Sequence, residues 1–295
     1  MNSNDEVKVS VCVVTYNQES YIRQCLQSIV DQVAVFKFDV IVSDDCSTDG
    51  TRAIVQEFAV KYPDIVKPIF HEKNIGAYEN FWFVHQQATG EYIAHVDGDD
   101  YCLPGKLQVQ ADFLDETVEC NIVWTPVIVE MPNGSVKDTS KAVVANIYKM
   151  HFYRGGLIKF GAVGANSSKM YRKAVRDFEV PDFEVMDYFV NVEQVGDGFA
   201  CFTGNVPYGV YRLGIGIASS GSKTRQIMGK SLMYFFKKYP QHRLEINTFA
   251  LLNFLLDLKN SRKTTWMFFK LWMNTFQLRS FFNLLKGLKV VNALR

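Results

Sequence analysis

The feature that most constrains this chain is the alternation, over its first 130 residues, of short β-branched runs with helix-periodic segments. Residues 7–15 form a β-branched run, broken by Tyr16-Asn17-Gln18-Glu19. Residues 20–31 then place Ile22, Leu26, Ile29 and Val30 at helical spacing. Strands are expected at 38–42, 66–70, 91–96 and along the long run 120–130, and helices at 51–61, 77–88 and 104–115. Thr48 or Asp49 can cap the second helix, and Pro104 suits the first turn of the fourth. Strands that alternate with helices pair in parallel through right-handed crossovers. The expectation is an α/β fold with a mostly parallel central sheet and flanking helices.

Past residue 131 the pattern loosens. Pro132-Asn133-Gly134 signals a turn. A strand is expected at 164–171, a helix at 182–195, and a strand pair at 200–203 and 206–213. After a glycine-rich segment at 214–223 the chain is helical to its end. This organisation predicts a main domain over 1–220 and a helical appendage over 221–295.

Asp97-Gly98-Asp99-Asp100 follows the apolar run Tyr92-Ile93-Ala94-His95-Val96. Three carboxylates in four positions repel one another and cannot be buried unpaired. A divalent cation resolves that conflict, and ligands of α/β sheets sit just outside the carboxyl ends of the strands. A solvated acidic turn is the alternative. Asp44-Asp45 ends the second strand, so two acidic strand ends share one edge of the sheet.

The chain is 48% hydrophobic and 21% charged, as a folded protein should be. Its six cysteines, Cys12, Cys25, Cys46, Cys102, Cys120 and Cys201, form no CxxC pair. They are expected to be buried free thiols in a reducing compartment, and five scattered histidines add no zinc pattern. The start, Met1-Asn2-Ser3-Asn4-Asp5-Glu6, has no basic and apolar leader, and no run of 18 apolar residues follows. The expectation is a cytoplasmic protein. Eight basic residues and no acidic one lie from Lys259 to Arg295, so residues 1–258 are net acidic although the whole chain is +1. Trp266, Phe268, Phe269, Trp272, Phe276, Phe281 and Phe282 interleave with those bases. A basic helix with such an apolar face suits an anionic bilayer surface, the inner face of the plasma membrane in this setting. Packing against the main domain or a second subunit is the alternative. No nucleic-acid-binding module accompanies the basic residues.

Several segments together resemble the family 2 glycosyltransferases of the GT-A fold, the type that builds bacterial capsule, lipopolysaccharide and other surface polysaccharide. Val9-Ser10-Val11-Cys12-Val13-Val14-Thr15-Tyr16-Asn17 is similar to that family's first strand and loop. Val42-Ser43-Asp44-Asp45-Cys46-Ser47-Thr48-Asp49-Gly50-Thr51 is similar to its second-strand signature. Asn74-Ile75-Gly76, Asn80 and Gly90-Glu91-Tyr92-Ile93-Ala94 resemble the approach to its acidic motif, and Asp97-Gly98-Asp99-Asp100 resembles its DxD. The resemblance covers 7–115 and, more weakly, about 160–215.

It implies a nucleotide-sugar donor with UDP as the default, a Mn²⁺ or Mg²⁺ ion, and inverting transfer to a polysaccharide or lipid-linked saccharide. Thr15, Tyr16 and Asn17 would line the nucleotide pocket, Asp45 with Asp44 would read the base, and Asp97 would lie near the ribose. Asp99 with Asp100 would hold the metal. Asp187 is the candidate base for the acceptor hydroxyl, in Val185-Met186-Asp187-Tyr188-Phe189, where Met186 replaces the family's usual Glu. Asp182 and Glu184 are nearby alternatives, and a first-turn acid favoured by the helix dipole is the structural reading. Tyr211-Arg212-Leu213-Gly214 resembles the family's late Tyr-Arg strand, with Gly214 where many relatives carry a metal- or diphosphate-binding His. Arg212 then either contacts diphosphate or pairs an acid structurally. Gly214, Gly216 and Gly221 permit a closing loop.

Other residues are read blandly: His95, Trp82 and Trp124 as core, His71 and His85 as surface or loop, Lys106 as a solvated helix residue. Two rival functions are a nucleotidyltransferase and a degenerate membrane-associated nucleotide-binding scaffold. The first wants a glycine-rich basic phosphate loop after strand one, which Thr15-Tyr16-Asn17-Gln18-Glu19 is not. The second is opposed by all three carboxylates at 97, 99 and 100.

Overall fold

The computed structural model describes residues 6–141, 147–161, 163–215 and 222–285. The first half runs β1 (Val9–Thr15), α1 (Ile22–Val30), β2 (Phe38–Asp44), α2 (Thr51–Lys61), β3 (Val66–Phe70), α3 (Ala77–Gln87), β4 (Tyr92–Asp97), β5 (Tyr101–Cys102) and α4 (Lys106–Glu116). It continues through β6 (Cys120–Trp124), β7 (Val127–Glu130), β8 (Val136–Asp138), α5 (Arg154–Phe160), β9 (Lys169–Arg172) and α6 (Asp187–Gln194). β10 (Phe199–Phe202), β11 (Gly209–Arg212), α7 (Ser222–Lys238), α8 (Arg243–Lys259) and α9 (Thr265–Asn274) complete it.

The alternation of strands and helices produces the expected parallel core. Seven strands form one sheet in the order β10-β6-β9-β4-β1-β2-β3, with β1 parallel to both β2 and β4. Period-two burial explains the β-branched run of β1: Val9, Val11 and Val13 face the core of α1 and α4, while Cys12 faces the core of α3 and α6. β9 is the exception to the parallel pattern, running antiparallel to both β4 and β6. Its amino end therefore meets the carboxyl end of β4. A smaller sheet, β5-β11-β7-β8, stands beside that same edge.

The C-terminal helices share the second core. Leu232 and Phe235 of α7, Phe249 of α8 and Phe268 of α9 belong to the cluster that holds Trp124, Tyr188 and Phe189. Phe189 stacks on Phe235 at 5.0 Å and Tyr188 on Phe249 at 5.3 Å. Trp266, Phe282 and Leu285 point outward instead, at 62%, 66% and 68% exposure. Among the described residues no helix is long and apolar enough to cross a membrane. Gly216 and Gly221 of the expected loop, and the bases Lys286, Lys289 and Arg295, lie outside the described residues.

Several expectations are corrected. The run 120–130 is two strands, because Thr125-Pro126 breaks the ladder and sends β6 and β7 into different sheets. The expected pair at 200–203 and 206–213 is not a pair: β10 joins β6 and β11 joins β7. Residues 166–168 form a 3₁₀ turn, so that strand begins at Lys169, and the helix expected from 182 begins at Asp187. His85 is buried and bonded to His95 and Tyr171. Lys106 is fully buried, its ammonium donating to Ser167 O at 2.7 Å. All six cysteines are free, and Cys46 alone of them is partly exposed.

Candidate active site

The carboxyl ends of β1, β2 and β4 form one edge because their register aligns them: Thr15 lies opposite Asp44, and Val14 opposite Asp97. The loops leaving β1 and β2 are stitched together by Asn17, which holds a left-handed backbone conformation (φ 51°). Its N–H donates to Ser47 Oγ at 2.9 Å, and its Oδ1 accepts from Thr48 N–H at 2.8 Å. Asp44 pairs with Arg52 Nε at 3.0 Å and accepts the Ser47 N–H. Asp45 is occupied differently: its two oxygens accept the N–H groups of Ile75 and Gly76 at 2.7 and 2.9 Å, fixing the loop that enters α3. Gly76 has φ +91°, which favours glycine there. Tyr16 is exposed at the mouth of this edge.

Asp99 and Asp100 of the acidic turn are buried, and Asp97 is partly exposed. Asp97 accepts from His95 Nε2 at 3.1 Å, and its Oδ2 lies 3.1 Å from Ser167 Oγ, whose one hydrogen it shares with Asp100. Asp100 accepts from Ser167 Oγ at 2.5 Å and from Arg212 N–H at 2.8 Å. Burial, then the charge of Asp97, pushes the Asp99 carboxyl up to about 6 and that of Asp100 up to about 8. Burial also acts to raise Asp97, but His95 and Ser167 outweigh it and hold that carboxyl below the usual range. Arg212 is fully engaged: Nε to Glu130 at 3.1 Å, Nη1 to Asp99 O at 2.5 Å and Nη2 to Gln24 at 2.6 Å. Its plane lies over Tyr101 and Tyr21.

A cleft of about 670 Å³ opens beside this turn. Asp97 and Asp187 both line it, with Tyr78, Trp82 and Tyr211 among its aromatic walls. Asp187 is the first residue of α6, and its Oδ1 accepts the Tyr188 N–H at 2.7 Å. Burial pushes its carboxyl up, while Lys169 opposes that shift. Met186 and Glu184 line the same cleft.

The donor set suits a hard cation. Thr15 Oγ1, Gln18 Oε1 and Asp44 Oδ2 are buried oxygens without a hydrogen-bond partner, and the first two stand against Gly98. Among the described residues no cationic side chain bonds the Asp99 carboxylate, whereas both oxygens of Asp100 are taken. Among the described residues no three His, Cys, Asp or Glu side chains form a ready-made metal-binding group, so a cation here needs oxygens from a ligand as well.

Sequence reasoning missed Gln18, Ser167 and Lys169. Ser167 bridges two carboxylates, and Lys169 is buried beneath α6, bonded to Asn191 and Gln194 at 2.7 and 2.6 Å. Burial lowers its ammonium to about 7. Ser-Ser-Lys in an irregular stretch carries no pattern that marks it. Only the antiparallel entry of β9 brings it to the acidic turn.

Comparison with known proteins agrees with this architecture. EpsE of Bacillus subtilis (strain 168) is 37% identical over 128 residues, which cover 43% of this chain and 45% of EpsE. The poly(ribitol-phosphate) beta-N-acetylglucosaminyltransferase TarS of Staphylococcus aureus is 40% identical over 112 residues, 37% of this chain and 19% of TarS. The chain thus spans less than half the length of these two relatives. The crystal structure of TarS 1-349 with UDP-GlcNAc superposes with a TM-score of 0.69 at 20% identity, covering 97% of this chain and 87% of that one. The mannosyltransferase PcManGT of Pyrobaculum calidifontis, solved with GDP-Man and Mn²⁺, gives 0.56 at 16% identity over 98% and 87%. The sequence model described as Glycosyl transferase family 2 matches residues 10–175, more than half of the protein, and the chain belongs to that family.

Proposed function

We propose that the protein is an inverting, metal-dependent glycosyltransferase that moves one sugar from a UDP-sugar to a polysaccharide or lipid-linked oligosaccharide. The observation that carries this reading is the shared cleft of Asp97 and Asp187 at the carboxyl edge of β1 and β4. Family membership supports glycosyl transfer, and the UDP-GlcNAc complex of TarS supports a UDP donor. The polymer in the name of TarS favours a polymeric acceptor, and the Mn²⁺ complex of PcManGT favours a divalent ion.

In this reading Thr15, Tyr16, Asn17 and Asp44 frame the nucleotide, and Asp97 meets the ribose. Asp45 acts by holding the 74–76 loop against that pocket. Asp99 holds a Mn²⁺ or Mg²⁺ ion, while Asp100 and Arg212 hold the turn that presents Asp99. When bound, the ion neutralises charge that develops on the departing diphosphate. Asp187 takes the proton of the acceptor hydroxyl, and burial brings its pKa closer to the working pH. Residues 1–220 form the catalytic unit and 221–295 an appendage, whose helices α7, α8 and α9 pack on it. The outward apolar residues of that appendage, with Lys270 and Arg279 near them, rest on an anionic bilayer that carries the acceptor.

Calorimetric titration with UDP, GDP, CDP and dTDP, each with and without Mn²⁺, tests the donor assignment. UDP should bind with Mn²⁺ and lose affinity in chelator. No metal-dependent binding to any of the four overturns the reading.

A further inference from the structure

Behind Asp97 runs a chain of buried polar groups that the reaction itself does not need. His95 Nε2 lies 3.1 Å from Asp97 Oδ1, His95 Nδ1 lies 3.0 Å from His85 Nε2, and His85 Nδ1 lies 2.7 Å from the Tyr171 hydroxyl. All three rings are buried. They come from three elements, β4, α3 and β9, so the alignment is a property of the fold and not of one local turn. The His85 and His95 rings stack at 5.2 Å, and Phe81, which lines the cleft, packs on both at 4.1 and 5.1 Å.

Hydrogen counting fixes the end of the chain that faces Asp97. A carboxylate only accepts, so His95 Nε2 carries the hydrogen that faces Asp97. Burial holds His85 far below its ordinary pKa, leaving it one ring hydrogen. With one hydrogen on His95, His85 Nε2 donates to His95 Nδ1 and His85 Nδ1 accepts from the Tyr171 hydroxyl; with two, both bonds reverse, and the three groups stay linked either way. Each group is oriented by the one behind it. On the other oxygen, Ser167 Oγ stands 3.1 Å from Asp97 Oδ2. Oδ1 of Asp97 thus has a fixed donor on the protein side, and Oδ2 shares the Ser167 hydrogen with Asp100.

We infer that Tyr171, His85 and His95 are positioning residues that lock the Asp97 carboxylate in the orientation it presents to the donor nucleotide. The inference rests on the reading of Asp97 as a donor-binding residue. Partners that orient the ligands of a metal change its affinity by about 10- to 100-fold when removed, and the low end of that range is the expectation for a carboxylate that binds a nucleotide.

The test is calorimetric UDP binding with Mn²⁺, together with donor KM and kcat, for four variants. Asp97→Asn should lose most UDP affinity; unchanged affinity overturns the donor assignment of Asp97 and not the positioning chain alone. Given that loss, His95→Leu should weaken UDP binding by about tenfold and raise the donor KM, with kcat at saturating donor within about threefold. His95→Gln, which restores an amide donor facing Asp97, should recover most of that loss. Equal defects in Leu and Gln variants, or no defect in either, overturn the inference. Tyr171→Phe keeps the ring and deletes only the hydroxyl, so it carries the test if His95→Leu does not fold. A donor KM raised about threefold is then expected, and wild-type KM overturns the chain.

Discussion

A Cβ at position 98 would stand 2.3 Å from Gln18 Oε1 and 3.0 Å from Thr15 Cβ. A side chain between Asp97 and Asp99 therefore displaces the Gln18 amide and presses on Thr15, the residues that lead out of β1 into its loop. Gly98→Ala should displace that loop and weaken UDP binding with Mn²⁺ by at least about tenfold, as read by calorimetry; wild-type affinity would show that the loop yields at no cost. Asp187→Asn should leave nucleotide affinity unchanged and lower turnover by about 10²- to 10⁴-fold. Retained turnover would move the base elsewhere, to Glu184 first, since it lines the same cleft. The carboxylates were visible in the sequence because three Asp side chains crowded behind a buried strand repel one another and call for a cation or for fixed donors. His85 and Lys106 were not, because whether a polar side chain is buried depends on partners such as Tyr171 and Ser167 that lie far along the chain.

At the scale of elements, β9 decides the site. Its antiparallel insertion between β4 and β6 sets Ser167 between Asp97 and Asp100 and lays Lys169 under α6. Ser167→Ala leaves a buried Asp100 oxygen without its donor, so stability should fall by about 1–3 kcal/mol in chemical denaturation of the metal-free protein. An unchanged midpoint would mean that water replaces the hydroxyl. The first four strands and their helices were legible because each repeats one period over a whole element. The second half was less so. Residues 120–130 read as one strand since Thr125-Pro126 interrupts the ladder without interrupting the apolar run, and nothing local tells β10 and β11 that they belong to separate sheets.

For the whole molecule, the buried acids make stability depend on pH. Asp99 and Asp100 are raised from 3.8 to about 6 and about 8 by burial and then by Asp97. Between those limits the folded protein binds more protons than the unfolded chain, so their contribution is complete below pH 3.8 and is lost as pH rises to about 8. In chelator, the melting temperature of the wild type relative to Asp100→Asn should fall from pH 4 towards pH 8; a constant difference contradicts the buried-acid account. The outward face near α9 has its own test. Substituting Trp266, Phe282 and Leu285 by Ser should abolish co-sedimentation with anionic vesicles while UDP affinity stays unchanged, and retained sedimentation would remove the bilayer from the picture.

The bond from the Arg212 backbone to Asp100 spans 112 residues. A ribosome adding roughly 5–20 residues per second needs about 6–20 s to cover that distance. During that interval the nascent chain already carries its acidic tetrapeptide, but Ser167 joins it only after 67 further residues and Arg212 after 112. The acidic turn is thus completed only once β11 has been made, well after its own residues.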